Sequence, residues 1–207
     1  VYTHFAAAKI PRLGATTREQ IARFDKIISQ LREEGYSFTA HASATGGALL
    51  YPQANYDMVR IGIGLYGLWP SKESEQLLSQ KIILKPVLSW HAVISEVKSV
   101  AQGERVGYDF TEMLTRHSRL AIIPIGYWHG FPRALSSRGR VLIGGKTARV
   151  VGRVSMDMLV VDVTDIPEVK VGMIATIIGK DKKEEIRARE LADFAGTTHY
   201  EIVTRLN

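Results

Sequence analysis

The sequence predicts two architectures in succession. The first is a partial α/β barrel, its closing strands and helices; the second is a mainly β domain that closes as a barrel or a sandwich. Three observations predict this. Residues 1–81 alternate short apolar runs with helical patterns, the texture of parallel strands joined by crossover helices. Residues 82–207 carry a succession of short β-type runs instead. Between them "PSKESEQLLSQK", residues 70–81, is a polar stretch opening on a proline, and it marks the expected boundary.

In chain order, "VYTHFAAA" reads as the end of a strand. "TTREQIARFDKIISQLREEG" reads as a helix: Thr16 and Glu19 have capping-box spacing, Ile21, Phe24, Ile28 and Leu31 form an apolar stripe, and Gly35 is a stop. "YSFTAHAS" is a strand, "TGGALLYP" a helical turn ended by Pro52, and "DMVRIGIGLYG" begins as another strand. Beyond the boundary, "VLSWHAVISEVKSV", "RLAIIPIGY", "RVLIGG", "KTARVVGRV", "DMLVVDVT" and "MIATIIG" are strands. Gly144-Gly145 between two of them is a hairpin signal. "IRARELADFAG" is a short helix stopped by Gly196. A complete eight-stranded α/β barrel needs roughly 250 residues. Most of its strands are therefore expected upstream of Val1, in a longer protein.

Composition narrows the function classes. The chain has 207 residues, 45% of them hydrophobic and 23% charged, as in a globular domain. It has no cysteine, so disulfides, thiolate metal sites and cysteine nucleophiles are excluded. No apolar run has bilayer-spanning length, and no basic-then-apolar leader opens at Val1, so a cytoplasmic protein without membrane contact is expected. The net charge of +6 is spread along the chain rather than blocked, which favours a solvated surface over a nucleic-acid footprint.

"RIGIGLYG" contains a literal G-x-G-x-x-G in Gly62, Gly64 and Gly67. A dinucleotide site needs a helix after those glycines, and Leu68-Trp69-Pro70 disfavours one. The alternative is an anion cradle: backbone N–H groups at the carboxyl end of a parallel strand, behind Arg60. Tyr108, in a glycine-led loop, is either a packed aromatic or a general base, and a phenol acts as a base only beside a cation. Tyr127, His129 and Arg133 follow an apolar strand, and Met156 and Asp157 follow another. His4 and His41 each end an expected strand. No clustered histidine–carboxylate spacing predicts a metal, and no G-x-S-x-G or P-loop supports a hydrolase or nucleotidase.

Taken together, "THFA", "HASAT", "RIGIGLYG", "VGYDFT", "PIGYWHG", "VGRVSMD" and "HYEIVTRL", in that order, resemble the alanine racemases. That family uses pyridoxal 5′-phosphate (PLP) and joins an N-terminal α/β barrel to a C-terminal β domain. The resemblance implies interconversion of L- and D-alanine by two bases, a lysine and a tyrosine, supplying D-alanine for cell-wall peptidoglycan. It assigns Arg60 to the pyridine nitrogen of PLP. Backbone N–H groups of Gly62 and Ile63, the hydroxyl of Thr45 (usually serine in the family) and Tyr200 are assigned to the phosphate. Tyr108 is implied as the base acting on the L-enantiomer. Tyr127 and Met156 are implied at the substrate, with the Met156 N–H on its carboxylate. His4 is implied in the network linking Arg60 to the tyrosine, and His41 near the cofactor. A head-to-tail homodimer with shared active sites is implied as well.

This chain departs from the family pattern in four places. The PLP lysine, in a Lys-Ala-Asn-Ala-Tyr-Gly context, is not among these residues, so the 207 residues alone are expected to be inactive and to hold PLP weakly. Ser155 stands where the family usually has cysteine, and Trp128-His129 where it usually has Ala-Asp. The family's Arg-Val-Pro-Arg tail does not follow "TRL". A racemase for serine or another amino acid is the alternative within the family; a basic β-barrel binding module is the alternative outside it.

Overall fold

A computed structural model describes every residue from Val1 to Asn207, and the chain divides into two compact units, Val1–Val87 and Leu88–Asn207.

In the first unit, helix α1 (Gly14–Glu33) buries Ile21, Phe24 and Ile28 of the expected stripe. They pack with Phe5, Ala8, Ala40, Ala42, Tyr51 and Ala54. Its start corrects the sequence reading. The Thr16–Glu19 box is not used, because a 3₁₀ turn at Pro11–Leu13 already leads the chain into the helix. Proline's fixed φ suits such a first turn, and the Gly14 N–H finds its acceptor on the Pro11 carbonyl. The end is as expected: Gly35 takes φ +89°, and the Tyr36 N–H returns to the Leu31 carbonyl at 3.0 Å.

Strands β1 (His41–Ala44) and β2 (Met58–Arg60) pair in parallel, His41 opposite Met58 and Ala44 opposite Arg60. The opening segment contributes one parallel bridge, Tyr2 to His41, rather than a strand. Helix α2 (Thr45–Leu50) follows β1 directly. After β2 comes a 3₁₀ turn, Ile63–Tyr66, closed by Gly67 in the left-handed region. The polar stretch after Pro70 is helix α3 (Lys72–Leu78), capped reciprocally by Ser71 and Ser74.

In the second unit the strands are β3 (Trp90–Val93), β4 (Glu96–Val100), β5 (Arg105–Val106), β6 (Glu112–Met113), β7 (Ser118–Ile123), β8 (Arg140–Ile143), β9 (Lys146–Val150), β10 (Leu159–Asp162), β11 (Ile174–Asp181) and β12 (Glu184–Ile186). All their pairings are antiparallel. The main sheet runs β12-β11-β8-β9-β10-β7-β4, and β3 pairs with β11. β3 and β4 are separated only by Ile94 and Ser95. The Ile94 N–H bonds to the Met173 carbonyl at 2.9 Å, and the Ser95 N–H to the Ile122 carbonyl at 3.0 Å. One bent strand thus serves both ends of the sheet and closes it as a barrel. Ile94, Ile123, Leu142, Ile143, Leu159 and Ile177 are fully buried. Gly144 and Gly145, at φ +62° and +81°, form the two-residue turn between β8 and β9, as a type I′ hairpin demands. Helices α4 (Ala188–Ala195) and α5 (His199–Thr204) end the chain, α4 stopping at Gly196 with φ +69°.

Candidate functional site

Arg60 is the centre of the polar cluster in the first unit. It sits at the carboxyl end of β2, where parallel strands present ligands. Its guanidinium donates to the carbonyls of Thr3 (3.0 Å) and Ala42 (2.9 Å), to Nδ1 of His4 (3.1 Å), and to Nδ1 of His41. The Tyr2 ring stacks on His41 at 5.2 Å and lies 5.7 Å from the guanidinium carbon. Nδ1 of His41 must carry a lone pair to accept from a guanidinium. Desolvation and the Arg60 charge hold that imidazole below its ordinary range. His41 is thereby a neutral acceptor that fixes the orientation of a permanent cation.

The glycine run lies one turn further on. Thr45 is buried at the start of α2, and its Oγ1 accepts from the N–H groups of Gly62 (3.3 Å) and Gly64 (3.2 Å). Each glycine has its own reason. A methyl at Gly64 would meet Thr45 Cγ2 at 2.9 Å, and one at Gly67 would lie 1.7 Å from the Lys85 carbonyl oxygen. A methyl at Gly62 would meet nothing within 4 Å, so the backbone there is open to a ligand. Thr45 Oγ1 accepts twice and keeps its own hydrogen to donate. An open glycine backbone beside a buried hydroxyl and a fixed guanidinium suits an anionic, nitrogen-bearing ring compound. Thr45, the Gly62 backbone and Arg60 thus offer a donor set that fits the PLP the resemblance implies. His4, His41, Thr45, Arg60, Gly62 and Ile63 fall in this one unit.

The remaining sequence candidates are in the second unit. Tyr108 opens a 3₁₀ turn (Tyr108–Phe110) at the tip of the β5–β6 hairpin and is 66% exposed. Tyr127 and Met156, 47% and 51% exposed, are brought together by their backbones. The Tyr127 N–H donates to the Ser155 carbonyl at 3.0 Å and the Trp128 N–H to the Met156 carbonyl at 2.9 Å. Gly126 permits this approach, since a methyl there would lie 2.3 Å from the Ser155 oxygen. The Tyr108 turn joins them through Gly107, whose added methyl would sit 2.8 Å from the Arg153 nitrogen. The loops that carry Tyr108 and Tyr127 thus both abut, by their backbones, the 152–156 segment that carries Met156. Tyr200 lies on α5, where burial pushes its phenol up, against the opposing charge of Arg189. It keeps its proton at neutral pH.

Sequence reasoning missed the carbonyls of Thr3 and Ala42, which no side-chain pattern reveals. It also missed Tyr2, whose place two residues before His4 was the available signal. His129 turns inward, its Nδ1 accepting the Gly126 N–H at 3.2 Å. Tyr127 and Trp128 line a cleft of about 680 Å³ with Arg133, Glu201 and Arg205.

Comparison with known proteins places these observations. Residues 1–70 match the family model described as alanine racemase, N-terminal domain, and residues 87–207 match alanine racemase, C-terminal domain. An alanine racemase of Leptospira interrogans serovar copenhageni is 39% identical over 212 residues, covering 100% of this chain and 54% of that protein. The crystal structure of alanine racemase from Bacillus anthracis with bound L-Ala-P superposes with a TM-score of 0.92 at 34% identity, over 100% of this chain and 52% of that one. Alanine racemase from Bartonella henselae, with covalently bound pyridoxal phosphate, gives 0.84 at 29% identity, over 100% of this chain and 54% of that one. The chain spans about half the length of the relatives it matches. Two matched domains in the family's order, with identity sustained along the whole chain, show that it belongs to the alanine racemase family.

Proposed function

We propose that this chain supplies part of the active site of a cytoplasmic, PLP-dependent enzyme that interconverts L- and D-alanine, providing D-alanine for peptidoglycan. The observation that carries the reading is the Arg60 cluster: a guanidinium held at a strand's carboxyl end by two carbonyls and a neutral imidazole, beside an open glycine backbone. PLP, when bound, supplies the electron withdrawal that makes a Cα–H acidic. Arg60, a guanidinium that does not give up its proton, would donate to the ring nitrogen and so would restrain full electron withdrawal, which suits an enzyme that should racemise without transaminating. Thr45 and the N–H groups of Gly62 and Ile63 would hold the PLP phosphate.

Racemisation removes the Cα proton from one face and returns a proton on the other. Tyr108 Oη takes the proton from L-alanine, and the Met156 N–H holds the substrate carboxylate while Tyr127 bounds the site. Within its own unit His4 accepts from Arg60 and so belongs to the same hydrogen-bonded network. The exposure of Tyr108, Tyr127 and Met156 supports a homodimer in which these side chains serve the partner subunit's barrel.

The test is solvent-deuterium exchange at Cα in the complete protein. Tyr108→Phe should abolish exchange from L-alanine by about 10²-fold or more while exchange from D-alanine persists. Equal loss from both enantiomers, with PLP still bound, would remove Tyr108 from the role of face-specific base.

A further inference from the structure

The β5–β6 hairpin, which lifts Tyr108 into solvent, is short and strained. Val106 pairs with Glu112, and the five residues between them form the tip. Gly107, Asp109 and Phe110 all have positive φ, at +81°, +58° and +50°. Two successive non-glycine residues in that region are costly, and they persist only where surroundings over-determine them. On the β5 leg Val106 packs against the cluster of Leu114, Leu120 and Val151, and the backbones come close: a methyl on Gly152 would lie 2.7 Å from the Val106 oxygen. Arg153 Nε stands 2.7 Å from Asp109 Oδ2, an ion pair without hydrogen-bond alignment. Arg105 Nη1 donates to the Phe110 carbonyl at 3.1 Å.

On the β6 leg Leu114, just past the strand, packs with Leu120 and Val151, and Glu112 makes the polar connection. The Glu112 carboxylate is 18% exposed and accepts from Arg149 Nη2 on β9 at 2.7 Å and from Ser137 Oγ at 2.7 Å. We propose that Glu112 is a positioning residue for Tyr108, fastening the hairpin's second leg to the barrel so that the phenol is held at a fixed height and direction. The Arg149 hydrogen bond and charge, the Ser137 hydroxyl and the Gly152 N–H hold the carboxyl below its usual range against the cost of burial. The clamp is thus charged at neutral pH, and charge-assisted bonds of this kind are the strong ones. Ser137 takes φ +55° while its N–H donates to the Gly152 carbonyl at 3.0 Å. The clamp and the glycine contact of the other leg therefore meet at the same place on the barrel. No comparable fixing is needed for a hairpin that merely covers the sheet.

This inference rests on the proposed role of Tyr108, and the test separates the two. Glu112→Gln keeps shape and one acceptor but removes the charge. In the complete protein it should lower Cα exchange from L-alanine roughly ten- to a hundredfold, since small misplacement of a reacting group costs that much. Exchange from D-alanine should hold within about twofold. Amide hydrogen exchange of residues 104–114 should accelerate about tenfold or more while β7–β10 keep their protection. Tyr108→Phe is the control. If it shows the asymmetry between enantiomers and Glu112→Gln does not, the positioning role is overturned and the Tyr108 role stands. A loss from both enantiomers together with lost barrel protection would make Glu112 a plain structural residue. A Tyr108→Phe protein without asymmetry would overturn both.

Discussion

His41 shows how a single residue's protonation state bears on the fold around the site. Its imidazole accepts from Arg60 and is held below its ordinary range by desolvation and by the Arg60 charge. The unfolded chain, with an ordinary histidine, therefore takes up a proton first as pH falls. Stability from this group is fully present above pH 6.5, the ordinary value, and erodes below it. His41→Asn retains an acceptor for Arg60 but does not titrate. Urea midpoints compared between the two proteins from pH 8 to pH 5 should diverge as pH drops, the parent losing more; parallel curves would show that His41 is not held neutral. Gly62 gives a second residue-scale expectation. With space for a methyl, Gly62→Ala should change stability by no more than about 1 kcal/mol. It should weaken retention of PLP in the complete protein while leaving the binding of pyridoxal, which lacks the phosphate, unchanged.

At the scale of elements, the turns divide sharply into tolerant and intolerant. Gly67 closes the 3₁₀ turn after β2 with φ +69°, and its α-carbon faces the Lys85 carbonyl. Gly67→Ala should cost about 3 kcal/mol or more, strain and backbone collision combined, read as a lowered urea midpoint of the first unit. Gly172→Ala, also at positive φ but with nothing within 4 Å, should cost only the strain of about 1 kcal/mol. Equal costs would mean that the Lys85 approach is not what fixes the glycine. These elements also show what was legible beforehand. The α1 stripe, its Gly35 stop and the Gly144-Gly145 hairpin were readable because each rests on local periodicity or on a φ that only glycine adopts freely. The start of α1 was not, because Pro11 began the turn before the capping residues were reached. The β5–β6 hairpin was invisible as a pair: its strands have two residues each and their partners are side chains far along the chain. The candidate site residues were assigned through the order of the motifs. Their physical roles depend on hydrogen bonds from Arg60 to Thr3 and Ala42 that sequence spacing does not encode.

At the scale of the whole molecule, the second unit closes its main sheet through the bent strand at Ile94 and Ser95. Amide exchange should therefore be slow throughout β7–β11 and faster in the β5–β6 hairpin, which lies outside that sheet; the reverse order would count against closure as the source of stability. On the proposed shared site, a complete protein lacking the PLP lysine and another carrying Tyr108→Phe should each be inactive, yet regain activity when mixed into heterodimers. Demonstrated heterodimers without recovery would place both bases in one subunit. Closure has a further cost, paid on the ribosome. Val93 finds its partner only when Ile174 has been synthesised. At ordinary elongation rates that delay is roughly 4–16 s. Throughout it β3 is an open edge, while β4 and β7 can already pair. Slowed translation should therefore lower soluble yield, and a chaperone that shields nascent strands should restore it, with the loss vanishing once elongation passes Asp181.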